Sequence, residues 1–287
     1  MRFAHSFWTE PLLHSKFDNI HDSIAINLIE YALSVEYVHK HGYEIDLYTD
    51  KDGSELFKPI PYDNVYVLEN TITNNYHFAA SFKFMALGKM PLDSVLIDGD
   101  IFLHKPKVYS IIKQNKSDIL VSMFEPKKYI AVNRDRNIKM LELIKPFEFN
   151  YPYETPDWKD CDGWYNTSLM KFNDETLKEE YIEQYKDYVD IIKNTDFEET
   201  WPDIILEQRH LTQLCRNEHY SISVLVKDFP SDKANKNAID IGFIHLGSAK
   251  RATQQQNVQT LWNFNKELVL EINEHITNMT KYFEIKK

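Results

Sequence analysis

Two aspartates held one residue apart, Asp98 and Asp100, lie within the stretch DSVLIDGDIF at 93–102. Val95, Leu96 and Ile97 precede them, and Ile101 and Phe102 follow. An unpaired carboxylate beside an apolar core is costly, so the pair needs a metal ion, a basic partner or water to take up its charge. Paired aspartates also serve as turn and helix-cap residues, but a turn cap has no need of apolar flanks on both sides. Hard divalent cations take oxygen ligands, and Mn²⁺ accepts imidazole as well. Two carboxylates and one histidine, with positions left open for phosphate oxygens, would suit Mn²⁺.

That chemistry directs attention to His245, which sits in GFIHLGSAKR at 242–251. A histidine that follows an apolar strand is ordinarily a hydrogen-bonded core residue. Here Gly247 comes two residues later, and Lys250 and Arg251 follow, which fits a tight loop closing over an anion. The sequence leaves both readings open. Lys83 lies in SFKFMALGK, beside Phe82, Phe84, Met85, Ala86 and Leu87. It is either a surface lysine snorkelling past a core or a cation aimed at a phosphate or at a carboxylate of the neighbouring strand end. Asn166 and Thr167 in WYNTSLMKF, and Glu207 and Gln208 in ILEQRHLTQL, are candidate partners for sugar hydroxyls. Taken singly, each is as readily a structural polar neighbour.

These residues must be carried by definite elements. RFAHSFW (2–8) reads as a strand. From 22 to 40, Ile24, Leu28, Tyr31, Val35 and Val38 step by four and three, which predicts a helix capped by Asp22 or Ser23 and ended at Gly42. YEIDLYTD is a strand closed by a turn, DKDG, at 50–53, and NVYVLEN (64–70) is another strand. Residues 81–89 predict a helix, VLID (95–98) a strand, 108–114 a helix and 118–124 a strand. This alternation predicts an α/β fold with a mostly parallel sheet flanked by helices. In such sheets ligands bind at the carboxyl ends of strands, where Asp98 and Asp100 are expected.

The segment 125–165 shows no clear period and is expected to be a long loop with a short helix near 136–144. Its aromatics Phe147, Phe149, Tyr151, Tyr153 and Trp158 are suited to stacking on sugars. Beyond it, 164–172 reads as a strand, 174–193 and 203–217 as helices, and 220–226 as a strand. Residues 240–251 read as a strand followed by a loop, and the last 30 residues as a closing helix. No internal repeat or linker divides the chain. A single domain, 1–287, is expected.

Composition narrows the function classes. The 287 residues carry a formal net charge of -11, which argues against a nucleic-acid partner. Two cysteines, Cys161 and Cys215, are too few for a disulfide framework and favour a reducing compartment. No apolar run reaches the length of a membrane span, and the first residues do not read as a signal peptide. The expectation is a cytoplasmic protein whose contact with any membrane-borne partner is peripheral.

Taken in order, the motifs resemble one family. A strand–helix–strand start leads to F-x-K-x-x-A-L, then to an apolar strand ending in D-x-D, then to W-Y-N-T-S-L-M-x-F, an acidic-Gln segment and H-x-x-G-x-x-K/R. This order is similar to that of the GT-A-fold nucleotide-sugar glycosyltransferases, in particular the glycogenin-like and lipopolysaccharide galactosyltransferase-like retaining group. The resemblance implies a GT-A, Rossmann-like fold with a nucleotide-binding half (1–124), an acceptor and sugar half (125–251) and a C-terminal helical segment (252–287). It implies a metal-dependent transferase, retaining, that moves a sugar from a UDP-sugar to a glycan, lipid-linked or protein acceptor, with Mn²⁺ or Mg²⁺ as cofactor.

By the same resemblance, Asp98 and Asp100 with His245 hold the metal, and Asp98 also meets the ribose. Lys250 or Arg251 holds the diphosphate, and Lys83 lies near the donor. Asn166, Glu207 and Gln208 stand at the sugar. Ala4, His5 and Phe7 run under the uracil, and Tyr48, Thr49 and Asp50 line the nucleotide. Two other readings compete. A sugar-nucleotidyltransferase shares the α/β start but opens on a Gly-rich loop, and residues 1–20 contain no glycine. A non-catalytic carbohydrate- or nucleotide-binding protein on the same fold has no reason to keep Asp98, Asp100, His245 and Lys250 together.

Overall fold

A computed structural model describes residues 1–14, 19–126, 162–194, 202, 204–227, 229 and 231–286. The helix expected near 136–144 and the aromatics from Phe147 to Trp158 lie outside the described residues, as does Cys161. In chain order the elements are β1 (Phe3–Phe7), α1 (Thr9–Leu13), α2 (Ile20–Lys40), β2 (Ile45–Thr49), α3 (Lys51–Leu56), β3 (Asn64–Val67), α4 (Ser81–Lys89) and β4 (Val95–Ile97). Next come β5 (Ile101–Leu103), α5 (Pro106–Gln114), β6 (Ile119–Pro126), β7 (Gly163–Phe172) and α6 (Glu175–Ile192). A π-helical turn (Ile204–Arg209) then runs into α7 (His210–Asn217), followed by β8 (Ile222–Val226), α8 (Asp232–Ile241), β9 (Phe243–His245), a 3₁₀ turn (Gly247–Ala249), α9 (Lys250–Phe264) and α10 (Lys266–Lys286). The fold is mixed α/β, with a mostly parallel sheet of seven strands among the described residues, flanked by helices.

The chain divides into two compact units. The first comprises Met1–Glu69, Leu96–Ser110 and Ile241–Lys287, and the second Asn70–Val95 and Ile111–Asp240. In the first unit β1 and β2 pair in parallel with Phe3 opposite Ile45, and β2 and β3 do so with Asp46 opposite Asn64. Helix α2 buries Ile24, Leu28, Val35 and Val38, all at 0% exposure. Its apolar steps are those a 3.6-residue period demands. Its cap is Asn19 rather than Asp22 or Ser23: the Asn19 side chain accepts from the Asp22 N–H at 2.8 Å. Asn19 is extended, the conformation an N-cap requires.

DKDG is not a free turn. Asp50 accepts from the Gly53 N–H at 2.8 Å and thereby starts α3. The expected loop after His245 is also helical. A single 3₁₀ turn separates β9 from α9, which begins at Lys250. The closing segment is two helices, α9 and α10, broken at Asn265.

In the second unit β6 pairs antiparallel with β7 and parallel with β8. The β6–β7 register shifts between Val121 and Met123, so that Ser122 lies opposite Thr167, Ser168 and Leu169. Around this ladder Phe84 stacks on Tyr185 with ring centroids 3.6 Å apart, and Tyr181, Leu169 and Leu211 are fully buried. The helix expected at 203–217 opens as the π-helical turn before becoming α7. Among the described residues no helix is long and apolar enough to cross a membrane.

Candidate functional site

In the first unit the D-x-D segment is a tight turn after β4, closed by the Ile101 N–H donating to the Asp98 carbonyl at 3.0 Å. Gly99, between the two aspartates, has no room for a side chain, because a Cβ there would lie 2.0 Å from the Tyr31 ring. β5 then pairs antiparallel with β9, placing Ile101 opposite His245. The ladder extends one step further, with the Leu246 N–H donating to the Asp100 carbonyl at 3.2 Å. The next amide, Gly247 N–H, donates to Asp100 Oδ2 at 3.1 Å. Gly247 is at φ +50°, a left-handed conformation that costs a glycine little. A two-stranded ladder thus brings together two segments far apart in sequence.

The side chains converge with the backbone. His245 Nε2 lies 3.6 Å and Lys250 Nζ 3.3 Å from Asp100 Oδ2. Lys250 Nζ is also 3.5 Å from Oε2 of Glu30, which projects from α2 and is 2% exposed. Neither Glu30 oxygen has a hydrogen-bond partner. Burial pushes the Glu30 carboxyl up to about 7, and the nearby Lys250 ammonium only partly opposes it. For Asp100 burial acts in the same direction, but Lys250, His245 and the Gly247 amide outweigh it and hold the carboxyl below its usual range. Asp98 is half-buried and adds to the field that stabilises the Lys250 ammonium. Lys250 is the first residue of α9, whose preceding residue, Ala249, offers no side-chain cap. A cation at a helix N-terminus opposes the helix dipole, so the carboxylates are what hold it there.

Asp98, Asp100 and His245 are residue types that ligate hard divalent cations, but residue type is all that speaks for one here. Asp98, Asp100 and Glu30 supply three carboxyl groups around one ammonium, which Asp100 and Glu30 share. Among the described residues no group of three His, Cys, Asp or Glu side chains is arranged around a single point to hold a metal. At Asp100 the ammonium of Lys250 takes the cation's part. Nothing is described of the Arg251 side chain.

Other candidates in this unit have structural partners. Asp50 accepts from the Thr9 hydroxyl at 2.7 Å, from the Thr9 N–H at 3.2 Å and from Gly53. Thr49 is buried at the end of β2. His5 is held between the Tyr62 hydroxyl at 2.8 Å and the Ser34 hydroxyl at 3.1 Å, and burial lowers its pKa to about 3.

The second unit assembles Lys83, Thr167 and Glu207. Lys83 Nζ is 2.6 Å from Glu207 Oε1, and the Thr167 hydroxyl donates to the same oxygen at 2.6 Å. Lys83 also donates to the Thr167 carbonyl at 3.4 Å, and the Tyr181 hydroxyl donates to the Glu207 carbonyl at 3.0 Å. The carboxylate that Lys83 meets is that of Glu207, in the π-helical turn. Asn166 makes a separate network. Its Oδ1 lies 2.8 Å from the Ser122 hydroxyl and accepts from the Ser168 N–H at 3.0 Å, while its Nδ2 donates to Glu125 Oε1 at 2.8 Å. Gln208 is half-buried, and its carbonyl accepts from the Thr212 hydroxyl at 2.9 Å. These groups gather where two backbone irregularities occur, the β6–β7 register shift and the π-helical turn, both common beside functional residues.

Sequence reasoning did not pick out Glu30. The signal was available: in the stretch 23–35, SIAINLIEYALSV, it is the only charged residue. A lone acid inside an apolar helical run has to find a partner.

One family model matches residues 1–282. The chain belongs to DUF6734, a family of unknown function. No curated protein sequence matches it. Among solved structures, the apo structure of the bifunctional glycosyltransferase WbbM is similar to this DUF6734 chain at 11% identity and a TM-score of 0.38, covering 96% of this chain and 51% of that one. The chain therefore spans about half the length of that enzyme.

Proposed function

We propose that this chain is a metal-dependent glycosyltransferase that moves a sugar from a nucleotide-sugar, a UDP-sugar in the first instance, to a glycan, lipid-linked or protein acceptor. One observation carries the reading. The β5–β9 register delivers His245 and Lys250 to the D-x-D turn, with Asp100 in contact with both. Asp98, Asp100 and His245 would hold Mn²⁺ or Mg²⁺. Bound there, the ion would act as a Lewis acid toward the leaving diphosphate. Lys250 or Arg251 would add a second positive charge where that diphosphate departs. In the second unit Glu207, Gln208 and Asn166 are the candidates for the sugar, and an oxygen near the anomeric carbon would support a retaining reaction. A cytoplasmic location belongs to the same proposal and rests on the cysteine count.

A second reading, a binding protein without turnover, is favoured by one feature: Glu207 and Asn166 are each engaged by neighbouring side chains. Thermal unfolding with Mn²⁺ and UDP, added singly and together, tests the site itself. UDP should raise the midpoint only when Mn²⁺ is present, and Asp100→Ala should remove the rise. A folded wild type that shifts with neither UDP nor GDP, in the presence of Mn²⁺ or Mg²⁺, refutes the transferase and nucleotide binding alike, leaving carbohydrate binding alone. Given binding, release of UDP from UDP-glucose or UDP-galactose in the presence of oligosaccharide acceptors separates the transferase from the binding protein.

A further inference from the structure

The second unit holds a cavity of about 410 Å³ between the loop 70–75 and the end of α6, where Lys193 and Asn194 line it. Its volume lies within the range of small-molecule sites, about 300–1,000 Å³. The loop is fastened at both ends. Asn70 Oδ1 accepts from the Ile72 and Thr73 N–H groups at 3.0 and 3.2 Å, and Asn70 Nδ2 donates to the hydroxyl of Ser81, the first residue of α4, at 2.9 Å. Asn75 Nδ2 donates to the Lys193 carbonyl at 3.0 Å. Thr71, Asn74 and Asn194 line the same cavity, are exposed and take no part in these bonds. A lining held by its own bonds receives a ligand without first having to be ordered, which lowers the cost of binding.

The chemistry of the lining selects the ligand. Among the described residues no carboxylate lines the cavity, which disfavours a cation. Its one ammonium, on Lys193, is already paired with Asp190, so an anion meets little net charge. Asparagine amides and threonine hydroxyls both donate and accept hydrogen bonds, and so do the hydroxyls of a sugar. Ile72 is the one apolar side chain in the lining, too little for a peptide or lipid that brings apolar groups of its own. We propose that this cavity binds a neutral glycan. Resting on the transferase reading above, that glycan is the acceptor rather than the donor, because a nucleotide-sugar carries a diphosphate that this lining has no spare cation to meet.

The test is saturation-transfer NMR on the whole chain, with no metal or nucleotide present. The probes are neutral tetrasaccharides of glucose, galactose, mannose and N-acetylglucosamine, with tetragalacturonate as the acidic counterpart. At least one neutral tetrasaccharide should receive saturation, and tetragalacturonate should receive none. Asn74→Ala with Asn194→Ala should weaken that binding on the order of tenfold, the loss of two hydrogen bonds. Thr71→Val, at another exposed position of the lining, should weaken it less, and Asn278→Ala on α10 should leave it unchanged. No binding by any neutral tetrasaccharide overturns the inference, as does a preference for tetragalacturonate. Binding that none of the three lining substitutions weakens places the glycan elsewhere and overturns it too. Each of these failures leaves a Mn²⁺-dependent UDP shift untouched, and with it the transferase reading. Conversely, glycan binding lost in the lining variants of a chain that shows no UDP shift sustains the cavity and removes only the word acceptor.

Discussion

The two units each set a lysine against a buried carboxylate, and they do it differently. Lys83 and Glu207 form a nearly balanced pair: one cation, one anion, a contact of 2.6 Å, a threonine hydroxyl on the same oxygen and side chains 12% and 9% exposed. Lys250 faces two buried carboxylates at 3.3 and 3.5 Å, and its own side chain is 41% exposed. The first arrangement has satisfied its charges internally. The second retains surplus anion, longer contacts and a lysine side chain that is partly exposed. A closed pair of this kind holds a fold together, whereas an open one can exchange its cation.

The largest effect should come from breaking the closed pair. Glu207→Ala takes the carboxylate from a buried ammonium and should cost about 3–5 kcal/mol in denaturant unfolding, whereas Lys83→Met with Glu207→Leu should recover most of that loss. If Glu207→Ala costs no more than a surface substitution, the pair is not closed and the contrast between the units fails. Next is the open cluster: at a concentration of about 100 times its Kd, UDP with Mn²⁺ should add roughly 2.7 kcal/mol, and Asp100→Ala should lose it all.

A smaller effect separates the units by pH. His210 in the second unit, like His5 in the first, is held by burial at about 3 instead of its ordinary value. As pH falls below about 6.5 the unfolded chain takes up a proton on each histidine that the folded chain does not. The stabilisation is therefore complete above that pH and is lost on acidification, by about 2 kcal/mol per histidine at pH 5. His210→Gln should halve this two-histidine contribution to the pH dependence, which unfolding free energies measured from pH 7 to 5 would register. An unchanged slope would mean that His210 is not buried as a neutral ring. The smallest effect expected is at Gly247, where Ala at φ +50° should cost about 1 kcal/mol. It should also weaken the Mn²⁺-dependent UDP shift, because that backbone donates to Asp100. A matched substitution at Gly88, which is open to solvent and has no positive φ, should leave the shift intact.

The local elements were legible because their signals are local. The four-and-three stepping from Ile24 to Val38 specifies α2, and the short apolar runs at 95–97, 119–124 and 164–172 specify β4, β6 and β7. The misreadings also have local causes. Asn19 outcompetes Asp22 and Ser23 because it lies where the chain is still extended, and Asp50 converts an apparent turn into a helix start. At 247–250 the glycine that suggests a loop accommodates a single left-handed residue, and a helix follows at once. The site was legible only as a set of residue types. Asp98, Asp100, His245 and Lys250 announce a charge problem wherever they lie, because carboxylates beside apolar strands need a counter-charge.

What the sequence by itself determined is therefore the run of strands and helices, the α/β class and the presence of charged groups too costly to leave unpaired. What only the tertiary structure decided is how those charges are shared. The pairing of Ile101 with His245, the approach of Glu30 to Lys250 and the closure of Lys83 on Glu207 all join residues distant along the chain. Periodicity extends over a few turns of a helix and a few steps of a strand, whereas electrostatic pairing depends on distance in space, which the chain sets only once it has folded.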